Sequence, residues 1–332
     1  MKNKGLIGTL IAIALLVGFS FISKGNGGAE KASKNQVVKI GILQFVTHDA
    51  LDAINQGIVD GLADAGYEGA TVELTQMNAE ADQSKIKTMS DQLVKDNDLV
   101  IGIATPAAQG LANATSDIPV VMGAISDPVG AKLVKNLDKP EANVTGTSNQ
   151  VPIKQGVELI KQVTPNVKKV GVLYASSEDN SVSQVKAFKE FATEVGIEVI
   201  DFAVPSSNDI AATMSVAVGK VDAIFVPQDN TIASAFPTVI SATNQAKIPV
   251  YSSVDTMVAQ GSLAAISQSQ YELGRETAKI AVKLLAGQEV KNVPVNVIDT
   301  GTPIVNPKAA ELLGISLPKE VLEQADVLET SE

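Results

Sequence analysis

The residues best suited to chemistry sit in four short loops: TPAAQ at Thr105–Gln109, AISDP at Ala124–Pro128, SSEDNS at Ser176–Ser181 and PQDNT at Pro227–Thr231. Thr105 and Pro106 begin a helical pattern, and the free N–H groups near Ala107 and Ala108 would attract an anion. Thr105 would equally serve as nothing more than the cap of its own helix. Asp229 and Asn230 open another helix, where a carboxylate either caps the first turn or, facing a cleft, pairs with an ammonium. Ser126 and Asp127 precede Pro128 and suit a turn, with Asp127 as a second acid able to meet a cation. In SSEDNS the best-placed groups are Glu178, Asn180 and Ser181, although loop solvation and capping also account for such residues.

These loops recur because the chain repeats itself at an offset of 130 residues. Gly41 pairs with Gly171, Gly66 with Gly196, and the IPV at 118–120 with the IPV at 248–250. Each copy reads as strand, helix, strand, helix and strand again, the alternation of a parallel sheet covered on both faces. In such sheets ligands bind beyond the carboxyl ends of the strands, where the four loops fall. The counterpart of SSEDNS in the first copy is Gln44 to Asp49, which contains His48.

Composition narrows the chemistry. The chain of 332 residues is long enough for two cored lobes. A net charge of −11 without a basic run argues against a nucleic-acid partner. Cysteine is absent and His48 is the single histidine, so thiolate or histidine metal cages and thiol nucleophiles are excluded. No HExxH, GxxxxGK[ST] or GxSxG motif occurs, and neither a cofactor nor an enzymatic reaction is expected.

The N-terminus carries Lys2 and Lys4, then the eighteen uncharged residues Gly5 to Ile22, then Lys24. At about 1.5 Å per residue this stretch just spans a hydrocarbon core. An uncleaved membrane anchor is expected, with a cleaved signal peptide as the rival, followed by a flexible tether to residue 36. The globular part would lie outside the cytoplasm.

Periodicity predicts strands at Val38–Gln44, Thr71–Thr75, Leu99–Ala104 and Pro119–Gly123, with helices near Asp49–Asp64 and Ser84–Asp96. Val144 to Ser148 reads as a glycine-bearing hinge, GSLAAIS at 261–267 as a second extended passage and PVNVIDTGTPIVN as a third. Lobe one is expected to comprise 37–147 plus 263–300, and lobe two 148–262 plus 301–332.

The order KIGILQF, DLVIGIATPAAQG, PVVMGAISDP, NVTGTSN, KVGVLYASSEDNS, DAIFVPQDNTIAS and YELGRETA resembles substrate-binding proteins of ABC importers, within them the branch for tryptophan and other aromatic amino acids. The resemblance covers Val37 to Pro318 and departs from the family in lacking the usual lipoprotein cysteine. It implies two Rossmann-like lobes joined by a three-crossing hinge, the type I periplasmic-binding fold, and a monomer that delivers its ligand to a permease. An L-aromatic amino acid is then expected, tryptophan first and phenylalanine or tyrosine next. Its carboxylate would meet Thr105, Ala107 and Ala108, its ammonium Asp229 or Asp127, and its ring an apolar space near Phe45, with Gln44 a further contact from the same loop. A sensory ectodomain and a sugar receptor share the architecture, but the absence of Trp weakens the sugar reading.

Overall fold

The computed structural model describes residues 37–330, and the apolar segment and tether expected at 1–36 lie outside the described residues. From Val38 onward the chain forms one compact unit built on two sheets. The first half runs β1 (Val38–Gln44), α1 (Asp49–Asp64), β2 (Val72–Asn78), α2 (Gln83–Asp96), β3 (Leu99–Ile103), α3 (Thr105–Ala114), β4 (Val120–Ile125) and β5 (Val144–Asn149). The second runs α4 (Ile153–Val163), β6 (Lys169–Ala175), α5 (Asp179–Glu194), β7 (Glu198–Val204), α6 (Ile210–Ala217), β8 (Ala223–Val226), α7 (Asn230–Ala233), α8 (Phe236–Ala246), β9 (Val250–Ser252), α9 (Asp255–Ala259) and β10 (Ala264–Ser267). The remainder adds α10 (Gln270–Leu285), β11 (Asn296–Ile298), β12 (Thr302–Val305), α11 (Pro307–Leu313), α12 (Lys319–Leu322) and β13 (Asp326–Val327).

The sheet orders are β11-β5-β4-β3-β1-β2 and β13-β12-β10-β9-β8-β6-β7. Each half therefore repeats one order, with β1 between β2 and β3 and β6 between β7 and β8, all parallel. Apolar runs such as Ile40, Ile42 and Leu43 are buried because helices cover both sheet faces. On α1, Leu51, Ile54, Ile58 and Leu62 recur at helical spacing and are buried together. Beyond α1 and α5, Gly66 and Gly196 take φ of 89° and 74°, a left-handed turn that glycine adopts without steric cost.

Two boundaries differ from expectation. Val144–Ser148 is not a free hinge but most of β5, an inner strand pairing with β4 and β11. Its residues read as a loop because Thr145, Thr147, Ser148 and Asn149 are polar, yet all are buried, and Thr145 satisfies its hydroxyl on the Val293 carbonyl at 2.8 Å. Gly146 lies so close to β4 that a Cβ would sit 2.3 Å from the Met122 carbonyl. The second correction concerns 263–300: Ala264–Ser267 pairs with β9 and β12, so it belongs to the second sheet, and only α10 and β11 return to the first. The crossings consequently sit at Gln150–Pro152, Gln268–Ser269 and Asp299–Gly301. They are tied together: Gln150 N–H donates to Ile298 O at 2.8 Å, and Gln268 Nε2 donates to Ile298 O at 2.9 Å and to Thr300 O.

Candidate ligand-binding cleft

The loops following β1, β3 and β4 face those following β6, β8 and β9 across a narrow cavity. From the first lobe come His48, Ala50, Leu51, Ile54, Ala104, Thr105, Ala124 and Ser126. The second supplies Asn180, Gln228, Asp229, Asn230, Ala233, Val254 and Met257, and Asn149 and Gln270, which flank two of the crossings, complete the lining. No Lys, Arg or aromatic ring other than the His48 imidazole lines it among the described residues. Nor do three His, Asp or Glu side chains converge there to hold a metal.

Backbone strain marks the first-lobe wall. Ala104 and Ala124 adopt φ of 76° and 59°, costly for a residue with a Cβ, and both line the cavity. Ala124 lies where β4 slips register against β5 between Met122 and Ile125. Ala104, not Thr105, occupies the cap position of α3; Thr105 is its first helical residue and Pro106 follows. The expected side-chain cap is thus absent, and the Thr105 hydroxyl is left beside the cavity.

The second-lobe wall is acidic. Asp229 caps α7 by accepting from Ile232 N–H at 2.8 Å, and its other oxygen accepts from Ala175 N–H at 2.6 Å. Glu178, 1% exposed, accepts from the backbone and side chain of Asn230 at 3.2 and 2.5 Å and from those of Thr231, both at 2.8 Å. Burial, and then the neighbouring Glu178 charge, push the Asp229 carboxyl up to about 7. Asp229 lines the cavity, whereas Glu178 is buried behind it with its carboxylate taken up by Asn230 and Thr231, and no cation lies on this wall among the described residues.

Two cavity groups lack partners. Asn180 Nδ2 faces Gln228 O at 2.8 Å and Glu178 Oε2 at 3.3 Å, which fixes the amide orientation and turns Oδ1 away from them. Asn180 is 5% exposed, and its Oδ1, like Ser126 Oγ, has no hydrogen-bond partner. Such orphaned buried groups are costly unless a ligand or water completes them.

The remaining candidates fall elsewhere. Phe45 is 3% exposed within the first-lobe core, so its ring is not on the cavity. Gln44 lies beneath the wall, donating to Asp52 Oδ1 at 2.6 Å. Ala107 and Ala108 are fully buried, where α3 packs so closely on β3 that a Cβ at Gly102 would lie 2.6 Å from Ala108 Cα. Ser181 is buried behind Asn180. Asp127 reaches across the cleft: its Oδ2 accepts from Ser183 Oγ at 3.0 Å and its Oδ1 from Gly130 N–H at 2.8 Å.

That contact is one of several that hold the lobes together. Gln109 donates to Asp179 at 3.0 Å, Gln260 to Asp49 at 2.6 Å, and His48 Nε2 to Asn230 Oδ1 at 3.3 Å. Desolvation lowers the His48 pKa, outweighing the Asn230 bond and the nearby Glu178, Asp52 and Asp49. Sequence reasoning did not select His48 or the apolar wall of Leu51, Ile54, Val254 and Met257. The repeat was the available signal for two of them, since an offset of 130 maps His48 onto Glu178 and Ala124 onto Val254.

Two duplicated lobes meeting on a polar-and-apolar cavity suit a ligand-binding protein. Residues 39–328 match the ABC transporter substrate binding protein family, and the chain belongs to it; its members bind substrates rather than transform them. It is 36% identical to the tyrosine-binding protein of Clostridioides difficile (strain R20291) over 92% of this chain and 91% of that one. An ABC domain from Streptococcus pneumoniae, solved in complex with L-Trp, shares 54% identity over 88% of this chain and all of its own, with a TM-score of 0.87. A ligand-free, open substrate-binding protein from Clostridium difficile, 39% identical over 89% of this chain and all of its own, superposes less well, at 0.67. The better match to the complex agrees with the direct contacts across the cleft.

Proposed function

We propose that this protein is the extracytoplasmic receptor of an ABC importer and captures an L-aromatic amino acid, tryptophan first and tyrosine or phenylalanine next, for delivery to a permease. The observation that carries the reading is the orphaned Asn180 Oδ1 beside the buried Asp229 and Glu178 carboxylates. An ammonium supplies what this wall lacks: a cation with several donors. On the opposite wall the Ser126 and Thr105 hydroxyls and the start of α3 suit a carboxylate, and the apolar surfaces suit a ring. The relatives that bind tyrosine or hold L-Trp support the aromatic class. Capture by closure requires extra contacts in the closed form, a role suited to the cross-lobe bonds.

Native mass spectrometry of the purified 37–332 fragment, followed by calorimetry against an amino-acid and sugar panel, tests this reading. Binding of a sugar and no amino acid would reject the ligand class. We further propose that residues 5–22 anchor the protein, so that membrane fractions retain the full chain. Recovery of a mature form beginning near Glu30, free in the medium, would reject the anchor.

A further inference from the structure

The cavity has an apolar end with a single buried amide in its wall. Ala50, Leu51 and Ile54 on α1 face Val254 and Met257 at the start of α9, and Ala50 packs into the same apolar cluster as those two second-lobe residues. Gln270 opens α10, whose early turns press on α1: a Cβ at Gly274 would lie 2.1 Å from the Ile54 carbonyl. From the other side, Asp255 N–H donates to Ser267 Oγ at 2.9 Å, which binds the start of α9 to the strand end just before Gln270. Gln270 therefore lines the cavity at the start of a helix packed on α1 and just after a strand end tied to α9, remote in the chain from the carboxylates at Glu178 and Asp229.

The state of the Gln270 amide is fixed. It is 4% exposed, and Nε2 donates to Gln268 O at 3.1 Å, which orients the group because a carbonyl accepts only from the nitrogen side. Oε1 accepts no hydrogen bond from any described residue. An acceptor that a bound ligand would shield from water disfavours a ligand that cannot complete it and favours one that can.

We propose that Gln270 is a specificity-determining residue, its Oε1 accepting a hydrogen bond from a ring donor, the indole N–H of tryptophan or the phenol O–H of tyrosine, and so discriminating against phenylalanine. This rests on the aromatic amino-acid reading of the cleft. The amide adds a selection that the apolar wall alone cannot make, since apolar contacts do not distinguish rings of similar shape.

The test uses isothermal calorimetry with L-tryptophan, L-tyrosine, L-phenylalanine and 3-(3-benzothienyl)-L-alanine, in which sulfur replaces the indole N–H with little change of shape. Wild-type protein should bind tryptophan about tenfold or more tighter than the benzothienyl analogue, the worth of a buried hydrogen bond and the penalty for losing it. Gln270→Leu should abolish that preference by weakening tryptophan and tyrosine while sparing phenylalanine and the analogue. Equal wild-type affinity for tryptophan and its analogue would overturn the proposal and leave the aromatic reading intact, and that comparison needs no variant. Equal weakening of all four ligands in Gln270→Leu would assign Gln270 a merely structural role and also overturn it. Failure of wild-type protein to bind any of the four would overturn the aromatic reading, and this proposal with it.

Discussion

The two lobes share a strand order and loop positions yet present opposite chemistry to the cleft. At the offset of 130 residues His48 corresponds to Glu178, Ala50 to Asn180 and Ala124 to Val254. The loop after β3 offers Ala104 and Thr105 where the loop after β8 offers Gln228 and Asp229. Both lobes contribute apolar surface, but the first adds hydroxyls and an uncharged helix start, whereas the second adds the Asp229 carboxylate, backed by the buried Glu178, and an unpaired amide oxygen. The repeated fold determines where the loops converge, and the side chains at equivalent positions determine the charge. Such asymmetry suits an amino acid, itself charged oppositely at two ends, which a site with two equal walls could not orient.

The largest expected effect comes from neutralising the acidic wall. Asp229→Asn keeps a residue able to cap α7 but removes a charge, and loss of a buried charge partner costs about 2–5 kcal/mol, roughly 30- to 5,000-fold in affinity. Calorimetry with the preferred amino acid measures it. Retained wild-type affinity in a folded variant would show that the lobes do not differ electrostatically in the way proposed.

The next effect is proton linkage, read from pH. The Asp229 carboxyl rises from 3.8 to about 7 in the folded protein, so its neutral form is favoured by folding. For the ligand-free protein, its contribution to stability is fully present below pH 3.8 and is lost as pH rises through about 7. Ligand affinity should run the other way, because an ammonium prefers the ionised carboxylate and must expel a proton below that pH. Affinity should fall by up to about tenfold per pH unit on acidification below 7 and level off above it. Calorimetry at pH 6 in phosphate and in imidazole should give different heats, since imidazole absorbs the released proton with a larger enthalpy. Equal heats would mean that no proton leaves on binding.

Much of this asymmetry was legible before the fold was known. Helix α1 runs from Asp49 to Asp64 as its periodicity indicates, because Leu51, Ile54, Ile58 and Leu62 form one continuous buried stripe. Thr105, Ser126, Asn180, Asp229 and Asn230 reach the cavity because their loops follow strand ends, a position set by topology. Phe45 and Asp127 do not line the cavity, for different reasons. An apolar ring after a strand packs inward as readily as outward, and Asp127 finds its Ser183 partner only when the lobes meet. The spacing of Leu51 and Ile54 marks them as buried, and they also form cavity wall, since periodicity identifies the buried face of a helix but not what covers its end. Strand β5 was missed because burial without apolar character leaves no hydropathy signal.

A smaller effect separates contacts made by closure from contacts made to ligand. Ser183 touches the opposite lobe at Asp127 and does not line the cavity. Ser183→Ala should therefore lower affinity by about fivefold, the worth of one hydrogen bond, chiefly through faster release. Stopped-flow dissociation measures that rate, and an unchanged rate would show that the Asp127 contact does not hold the closed form.

The smallest effect is expected at Thr105, in the first-lobe loop that corresponds to the Asp229 loop. Its hydroxyl does not cap α3, because Ala104 holds the cap position, so Thr105→Ala leaves the helix start intact. The backbone N–H groups there survive the change, and only one neutral hydrogen bond to a ligand carboxylate would be lost, about 1 kcal/mol or less. Calorimetry on Thr105→Ala and Asp229→Asn side by side gives the sharpest form of the lobe comparison: the Asp229 change should exceed the Thr105 change by at least about tenfold in affinity. Equal losses would mean that both walls hold the ligand through neutral contacts of similar strength, and the acidic pair would then serve only to cap its helices.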